Sequence, residues 1–414
     1  MTGENDALGG TFWRMYLATA SSDLADGIGR TALPLAAAAF TRDPVTISGL
    51  TSFTFLPWLL FALPSGALID RVDRRKAMAA ANAVRALAVG ALTIVVLADE
   101  GSVAVLYAVA FLLGAAETVY DSAVRALLPQ VVGAHQLDRA NSLITVEEEL
   151  GQTFVGAPLG SVLFAVAVSL PFLLNAAGFL LAVVLILTVR GHYRPARAAE
   201  VTTIRTDIGE GVRWLRRHAL LRGLTLISAG TAFANTIASG VLVLYVLEVL
   251  RLPAGDFGLF LLVGGAGALA GSIATPPLAR RVGRAVMLTA GSLVAATAIG
   301  LMAVTRNGYI AAALFAVAAG GVMVWNVLTM SLRQALIPSA LFGRVQGAYR
   351  TLVWGGIPLG SLTGGLLAGG LGIRWAFLIA GAIMLVLAVL LGRLLRKHPD
   401  ELADHRPSEL AAVR

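Results

Sequence analysis

Long apolar stretches separated by short clusters of arginine dominate this sequence. A helix that crosses a lipid bilayer needs about 20 mostly apolar residues, and turn residues and charges divide the chain into twelve such stretches. They lie near residues 13–38, 46–69, 77–97, 103–127, 144–168, 172–190, 223–249, 256–278, 286–304, 308–335, 351–369 and 373–393. We therefore predict an all-α membrane protein with twelve transmembrane helices.

The composition excludes several other classes of protein. Only 14% of the residues are charged, whereas a soluble domain carries about 25%. The net charge of +8 comes from arginines clustered between apolar stretches, which suits loops at a membrane face rather than a nucleic-acid-binding surface. The chain contains no cysteine, no Gly-Lys pair of a phosphate-binding loop, and no histidines at metal-ligand spacing. We expect no cofactor, no metal and no enzymatic activity.

The distribution of basic residues predicts the orientation. One cluster follows the second apolar stretch and another follows the eighth, whereas the alternate loops hold at most one base each. The two clusters are Arg71, Arg74, Arg75 and Lys76, and Arg280, Arg281 and Arg284. Because basic loops remain in the cytoplasm, we predict a multi-pass protein of the plasma (inner) membrane with both termini cytoplasmic.

An internal repeat divides the chain into two halves. The hexapeptide GAPLGS (156–161) recurs as GIPLGS (356–361), and LIDRVDRRK (68–76) has a counterpart in LARRVGRAV (278–286). These pairs fall at equivalent places in two groups of six spans, which predicts two pseudo-symmetric six-helix bundles. The predicted parts are an N-terminal bundle (1–190), a cytoplasmic central loop with an amphipathic helix (191–222), a C-terminal bundle (223–395) and a cytoplasmic tail (396–414).

The repeated hexapeptide predicts a hinge in spans 5 and 11. Its glycines are small residues four apart that let helix backbones approach closely, and its proline removes a helical hydrogen bond and bends the helix. The predicted hinge residues are Gly156, Pro158, Gly160, Gly356, Pro358 and Gly360. We expect them at a rocking interface between the bundles; the alternative is generic packing within the membrane.

The segment GALIDRVDRRK (66–76) resembles the loop 2–3 signature of the major facilitator superfamily. Within it, AETVYDSAVRALLPQVV (116–132), LDRANSL (137–143) and EGVRWLRRHALLRGL (210–224) resemble the drug-proton antiporter branch, which includes macrolide-efflux and siderophore-export proteins. The resemblance covers nearly the whole chain. It implies a cytoplasmic gate of Gly66, Asp70, Arg71, Arg74 and Asp121, in which the glycine packs span 2 against span 11 and Arg74 pairs with Asp121.

Charged residues inside the predicted spans are candidates for proton coupling, because burying a charge in the bilayer is costly. Asp23, Asp26 and Arg30 share one face of span 1. We expect Asp26 to carry a proton before Asp23 does, with Arg30 as the modulating charge; the alternative is a fixed Asp–Arg pair. Glu117 is a further candidate that could pair with Arg85. Of the glutamates at 147–149, we expect one to meet loop arginines.

Polar and aromatic residues in the spans predict a substrate cavity. The candidates are Asn175, Asn235, Trp325 and Asn326. We predict a monomeric secondary active transporter that exports small hydrophobic or amphiphilic molecules, such as a drug, an antibiotic, a siderophore or a metabolite of its own, by proton antiport and alternating access. Its partners are the substrate, protons and the lipid bilayer. A proton-coupled importer or facilitator of the same fold, and a non-transporting membrane sensor or scaffold, remain as alternatives.

Overall fold

The computed structural model describes residues 8–69, 71–98, 100–191, 193, 204–399 and 401, and these are helical with short connections. The α-helices are α1 (Gly10–Phe40), α2 (Pro44–Ile69), α3 (Arg74–Leu97), α4 (Val103–Val131), α5 (Leu137–Glu149), α6 (Ala157–Val166), α7 (Leu170–Leu187), α8 (Ile204–Arg217), α9 (Ala219–Ser239), α10 (Leu242–Leu244), α11 (Asp256–Val282), α12 (Arg284–Met302), α13 (Gly308–Leu336), α14 (Ser339–Leu371) and α15 (Ile373–Arg396). A π-helical segment, Leu150–Gly156, joins α5 to α6, and a second, Tyr245–Val249, follows α10.

The helices account for the twelve predicted spans. Among the described residues, ten helical segments are long and apolar enough to cross a membrane, with α5 and α6 counted as one, and the bent pair of α9 and Leu242–Val249 makes eleven. The remaining span is α1, which is 31 residues long but carries Asp23, Asp26 and Arg30 in its middle. The predicted architecture is confirmed, although α5 and α14 begin 7 and 12 residues before the predicted spans at 144 and 351.

Helix pairings repeat between the two halves. In the first bundle α1 packs against α6 and α7, α3 packs against α4 and α7, and α2 packs against α4. In the second bundle α9 packs against α14 and α15, α12 packs against α13 and α15, and α11 packs against α13. The bundles meet where α2 contacts α14 and α6 contacts α11. These pairings are related by a shift of six spans, as expected for two pseudo-symmetric bundles.

The bundles touch at one side of the molecule and diverge at the other. We call the side at which α2 ends and α3 begins, with Arg71, Arg74 and Arg75, the arginine-rich face. In the half away from this face, one continuous cluster of buried apolar residues extends across both bundles. In the half near it, each bundle has its own separate cluster. The interior of the molecule is therefore open between the bundles toward the arginine-rich face.

The connection between the bundles contains the helix α8. In α8, Leu215 is buried, whereas Arg213, Arg216 and Arg217 are exposed, and the helix packs against α14. Asp70 and most of the tail lie outside the described residues.

Candidate functional site

A cavity of about 440 Å³ lies against the first bundle and is bordered by α14 of the second. Its charged lining comprises the acidic residues Asp26, Glu117, Asp121 and Glu148 and the basic residues Arg30, Arg125 and Arg350. Aromatic rings complete it: Trp58 of α2 and Trp354 of α14 meet edge to face, 4.6 Å between ring centroids. A cavity with aromatic walls and charges of both signs suits an amphiphilic ligand.

Asp26 forms an ion pair with Arg85 in the wall of this cavity. The distance from Arg85 Nη1 to Asp26 Oδ2 is 3.0 Å; the Arg85 side chain is 1% exposed and that of Asp26 is 22% exposed. The guanidinium of Arg85 also lies 5.1 and 5.2 Å from the ring centroids of Tyr120 and Phe179, and it donates a hydrogen bond to Ser22 Oγ at 3.2 Å. The carboxylate thus faces the cavity, and its counter-charge lies behind it in the helix bundle.

This geometry differs from two pairings considered in the sequence analysis. Arg30 contacts the π-helical segment rather than Asp26: it donates to Gln152 Oε1 at 2.8 Å and to Thr153 Oγ1 at 3.4 Å. Arg85 is occupied by Asp26, so the expected Arg85–Glu117 ion pair does not form within 4 Å in the described part of the chain. The orientation of α3 about its own axis decides the partner of Arg85, because it points this side chain toward α1.

Gln152 connects Arg30 with Asp23. Its amide nitrogen donates to Asp23 Oδ1 at 3.0 Å, while its amide oxygen accepts from Arg30. The π-helical turn positions this side chain, because the backbone N–H of Ala157 bonds to the carbonyl of Gln152 five residues earlier. Sequence reasoning missed Gln152. The available signal was a polar Gln-Thr pair shortly before Pro158 in an otherwise apolar stretch.

The glycines of the repeated hexapeptide pack within each bundle. A Cβ added to Gly156 would lie 2.7 Å from the Cα of Gly27 on α1, and one added to Gly356 would lie 3.2 Å from the carbonyl oxygen of Ala229 on α9. Gly160 and Gly360 also pack closely against α1 and α9. The expectation that these glycines form the interface between the bundles is therefore wrong. They bring spans 5 and 11 close to the first helix of their own bundle.

The proline and serine of the hexapeptide face the opposite bundle. Ser161 Oγ donates to the carbonyl of Gly255 at 2.9 Å and accepts from the N–H of Gly258 on α11 at 3.0 Å. In the second copy, Ser361 Oγ donates to the carbonyl of Ser48 on α2 at 2.7 Å. The carbonyl of Pro358 accepts from Ser52 Oγ of α2 at 2.9 Å. Sequence reasoning overlooked these serines, although both copies contain one.

Pro358 lies inside α14, which continues unbroken from Ser339 to Leu371. Pro158 lies in the first turn of α6, directly after the π-helical segment. The two copies therefore accommodate the missing proline N–H differently. Within the described residues, only the first copy of the hexapeptide has a π-helical segment directly before its proline.

The predicted gate is not assembled in this conformation. Gly66 has no atom within 4 Å of an added Cβ, because α2 and α14 have separated at this level. Arg74 donates to the carbonyl of Ala126 at 2.9 Å, whereas Asp121 binds Arg125 of its own helix at 2.8 Å. Asp121 lies five residues deeper than Ala126, about 7.5 Å along the helix, and faces the cavity. The predicted Arg74–Asp121 pair is thus absent among the described residues. Arg71 is exposed.

Of the four predicted cavity residues, Asn175 borders the cavity and is buried. Trp325 is buried inside the second bundle, where its Nε1 donates to Ser228 Oγ at 3.2 Å. Asn326 is exposed and Asn235 is partly buried, and neither is among the described residues that line the cavity. Placing these three in the cavity was incorrect, since the cavity is built mainly from the first bundle.

Comparison with known proteins identifies relatives across the whole chain. The family model described as "Transmembrane secretion effector" matches residues 10–412. The chain is 26% identical over 378 residues to the enterobactin exporter EntS of Citrobacter koseri, covering 88% of this chain and 86% of that one. It is 27% identical over 347 residues to the multidrug efflux pump Tap of Mycolicibacterium fortuitum, covering 81% and 83%.

Solved structures with the same fold include the nucleoside transporter NupG, with a TM-score of 0.73, 12% identity, and coverage of 94% of this chain and 100% of that one. A bacterial homologue of the iron transporter ferroportin in its inward-facing state has a TM-score of 0.74 and 17% identity, with coverage of 93% and 98%. At these identities the likeness shows the fold.

Proposed function

The chain belongs to the major facilitator superfamily, in its transmembrane secretion effector family, and from this membership we propose that it exports a small hydrophobic or amphiphilic molecule in exchange for protons. Relatives named as an enterobactin exporter and a multidrug efflux pump support the direction of transport. We propose a siderophore, a drug, an antibiotic or a metabolite of the cell as the cargo class.

The single observation that carries the proton-coupled part of the proposal is the Asp26–Arg85 pair in the cavity wall. Ionised Asp26 is held by the buried guanidinium. A proton that reaches Asp26 from the cavity neutralises the carboxylate and weakens its attraction to Arg85. The charge in the wall then changes by one unit, and a ligand that contacts the same wall is bound with a different affinity. Proton and cargo thereby compete through one ion pair.

Alternating access supplies the movement in this proposal. We assign the arginine-rich face to the cytoplasm on the distribution of basic residues, so that the cavity opens to the cytoplasm in this conformation. Rocking of the N-terminal bundle (1–190) against the C-terminal bundle (223–395) would close that side and open the other. In the closed state, Gly66 would pack against α14 and complete the gate with Asp70, Arg71, Arg74 and Asp121. We propose that the unit is a monomer.

The proposal is tested by measuring accumulation of a compound panel in a bacterium that lacks its own efflux pumps. The panel contains lipophilic cations, macrolides, tetracyclines and catecholate siderophores, each with and without a protonophore. Asp26→Asn is compared with Asp138→Asn, a matched change at an exposed position of α5. Export predicts lowered accumulation of at least one compound, lost with the protonophore and in Asp26→Asn but retained in Asp138→Asn. Raised accumulation would show uptake instead, and lowered accumulation that resists the protonophore would exclude proton coupling.

A further inference from the structure

A second acidic site lies behind the cavity, where α5 packs against α1. Three glutamates follow one another near the end of α5, and of these only Glu147 is buried: it is 6% exposed, whereas Glu148, which lines the cavity, and Glu149 are exposed. Glu147 lies beside Thr19 and Asp23 of α1, and Asp23 is 8% exposed. The expected contact of one glutamate with loop arginines is not made by this buried member.

Glu147 has no counter-charge in the described part of the chain. The Thr19 hydroxyl and the Asp23 carboxyl lie within reach of its carboxylate, but neither oxygen has a partner of ordinary hydrogen-bond geometry there. No cation lies within 4 Å of it. The titratable groups that face it are Asp23 and Tyr16 from α1 and Glu148 from its own helix. Arg85 acts on Asp23 from α3, but its ion pair is with Asp26.

We infer that Asp23 and Glu147 together bind one proton, at a site separate from the Asp26–Arg85 pair. Two buried carboxylates side by side without a cation cannot both remain ionised, because each disfavours the charge of the other and burial disfavours both. One shared proton neutralises one carboxyl and supplies an O–H donor to the other, so the pair titrates as a unit. Asp26 needs no such proton in this conformation, since Arg85 compensates its charge.

Gln152 links the shared proton to the cavity. This step of the inference rests on the proposed transport function. Gln152 donates to Asp23 and accepts from Arg30, and Arg30 lines the cavity. A ligand that draws Arg30 away from Gln152 frees the amide oxygen, and the amide can then turn relative to Asp23. The shared proton is therefore linked to occupancy of the cavity through one side chain on the π-helical segment.

The test uses the purified full-length protein in lipid nanodiscs and pH-difference infrared spectroscopy, which detects the carbonyl stretch of a protonated carboxylic acid. No cargo is required, so failure here is distinguishable from failure of the export proposal. Wild type is expected to show a protonated-carboxyl band that Glu147→Gln removes. Asp26→Asn and the exposed neighbour change Glu149→Gln should retain it. Asp23→Asn should shift the band, and it serves as a second variant should Glu147→Gln fail to fold.

Four results would overturn the inference. A Glu147→Gln spectrum identical to wild type would mean that Glu147 holds no proton. An unshifted band in Asp23→Asn would mean that Asp23 does not share the proton. Loss of the band in Glu149→Gln to the same extent would show a general effect of charge in α5. Loss of the band when sodium replaces choline at constant pH would show that the site takes a metal cation rather than a proton.

Discussion

Ionisable side chains are concentrated in the first bundle, although the two bundles have the same helix pairings. Thr31 of α1 faces Gly160 and Thr236 of α9 faces Gly360, so equivalent positions of these helices differ by 236 − 31 = 205. By this offset, Asp23, Asp26 and Arg30 correspond to three neutral residues. They are Ser228, Thr231 and Asn235. At these three positions the second bundle thus keeps polar side chains but lacks the charges.

Removal of Arg85 is expected to destabilise the protein more than removal of the whole ion pair. Arg85→Met leaves Asp26 without its counter-charge, and loss of one partner of a buried pair costs about 3–5 kcal/mol. We expect about 3 kcal/mol here, because Asp26 is 22% exposed to the cavity. In the double variant Asp26→Asn/Arg85→Met, part of this loss should be recovered. Thermal unfolding of the purified single and double variants measures the difference, and equal losses would show that the pair does not govern stability.

Asp43 should make a pH-dependent contribution at the start of α2. The backbone N–H and the hydroxyl of Thr46 donate to its carboxylate, and these bonds hold the pKa of Asp43 below its ordinary value. A pKa lowered by folding adds stability above the unfolded pKa of about 4, and this is lost as the pH falls through the folded pKa. Asp43→Ala should therefore lower stability by at most about 1 kcal/mol at neutral pH.

The loss of stability caused by Asp43→Ala should vanish as the pH falls below about 4. Unfolding measured along a pH series, with Thr46→Val as a partial loss of the same cap, tests this sign. A loss of stability in Asp43→Ala that grows as the pH falls would contradict the predicted sign.

At the scale of the helix, the elements were predictable and the contacts were not. Lipid forces the backbone to satisfy its own hydrogen bonds, so long apolar stretches predicted the helices. In α1 this signal is weaker, because the helix carries three charges in its middle. The partner of Asp26 depends on the rotation of α3 about its axis, which hydropathy does not report. The contact of Arg30 with Gln152 depends on a π-helical turn, which shifts all following side chains and has no strong sequence signal. The glycines of the repeat were recognised, but their direction was misassigned because small residues suit either face.

The repeated hexapeptide combines two functions in one turn and a half of helix. Its glycines hold spans 5 and 11 against their own bundle, while Ser161 and Ser361 bond to the other. These hydrogen bonds lie on the side away from the arginine-rich face, where the bundles touch. They therefore stabilise the conformation described here relative to one in which that side has opened.

Loss of both serine hydroxyls should shift the conformational equilibrium. The double variant Ser161→Ala/Ser361→Ala removes three hydrogen bonds between the bundles. Because hydrogen bonds between membrane helices contribute about 0.6 kcal/mol each on average, it should favour opening of the side away from the arginine-rich face about 20-fold. Spin labels placed on α2 and α14 at their ends near the arginine-rich face report this shift as a larger population of short distances between the two labels. Ser292→Ala is the control, because that hydroxyl bonds to the carbonyl of Leu288 in its own helix. An unchanged distribution in the double variant would show that these bonds do not bias the two states.

At the scale of the whole molecule, the contacts between the bundles form a pivot that the pseudo-symmetry duplicates. The contact of α2 with α14 and that of α6 with α11 are equivalent under the six-span shift. Both can therefore open and close together as the bundles rock. Near the arginine-rich face, Gly66 of α2 and Gly347 of α14 each have no atom within 4 Å of an added Cβ. Away from it, Ser48 and Ser361 are in hydrogen-bond contact.

These two pairs of positions should respond to cross-linking in opposite conformations. The natural chain has no cysteine, so Ser48→Cys/Ser361→Cys and Gly66→Cys/Gly347→Cys each introduce a single defined pair. We expect the first pair to cross-link readily in the conformation described here, and the second only when the arginine-rich side closes. If export requires both conformations, either cross-link stops transport and reduction restores it, whereas the single variants Ser48→Cys and Ser361→Cys remain active. Transport that continues with the Ser48–Ser361 pair locked would mean that the bundles need not separate on that side, and a rocking mechanism would be excluded.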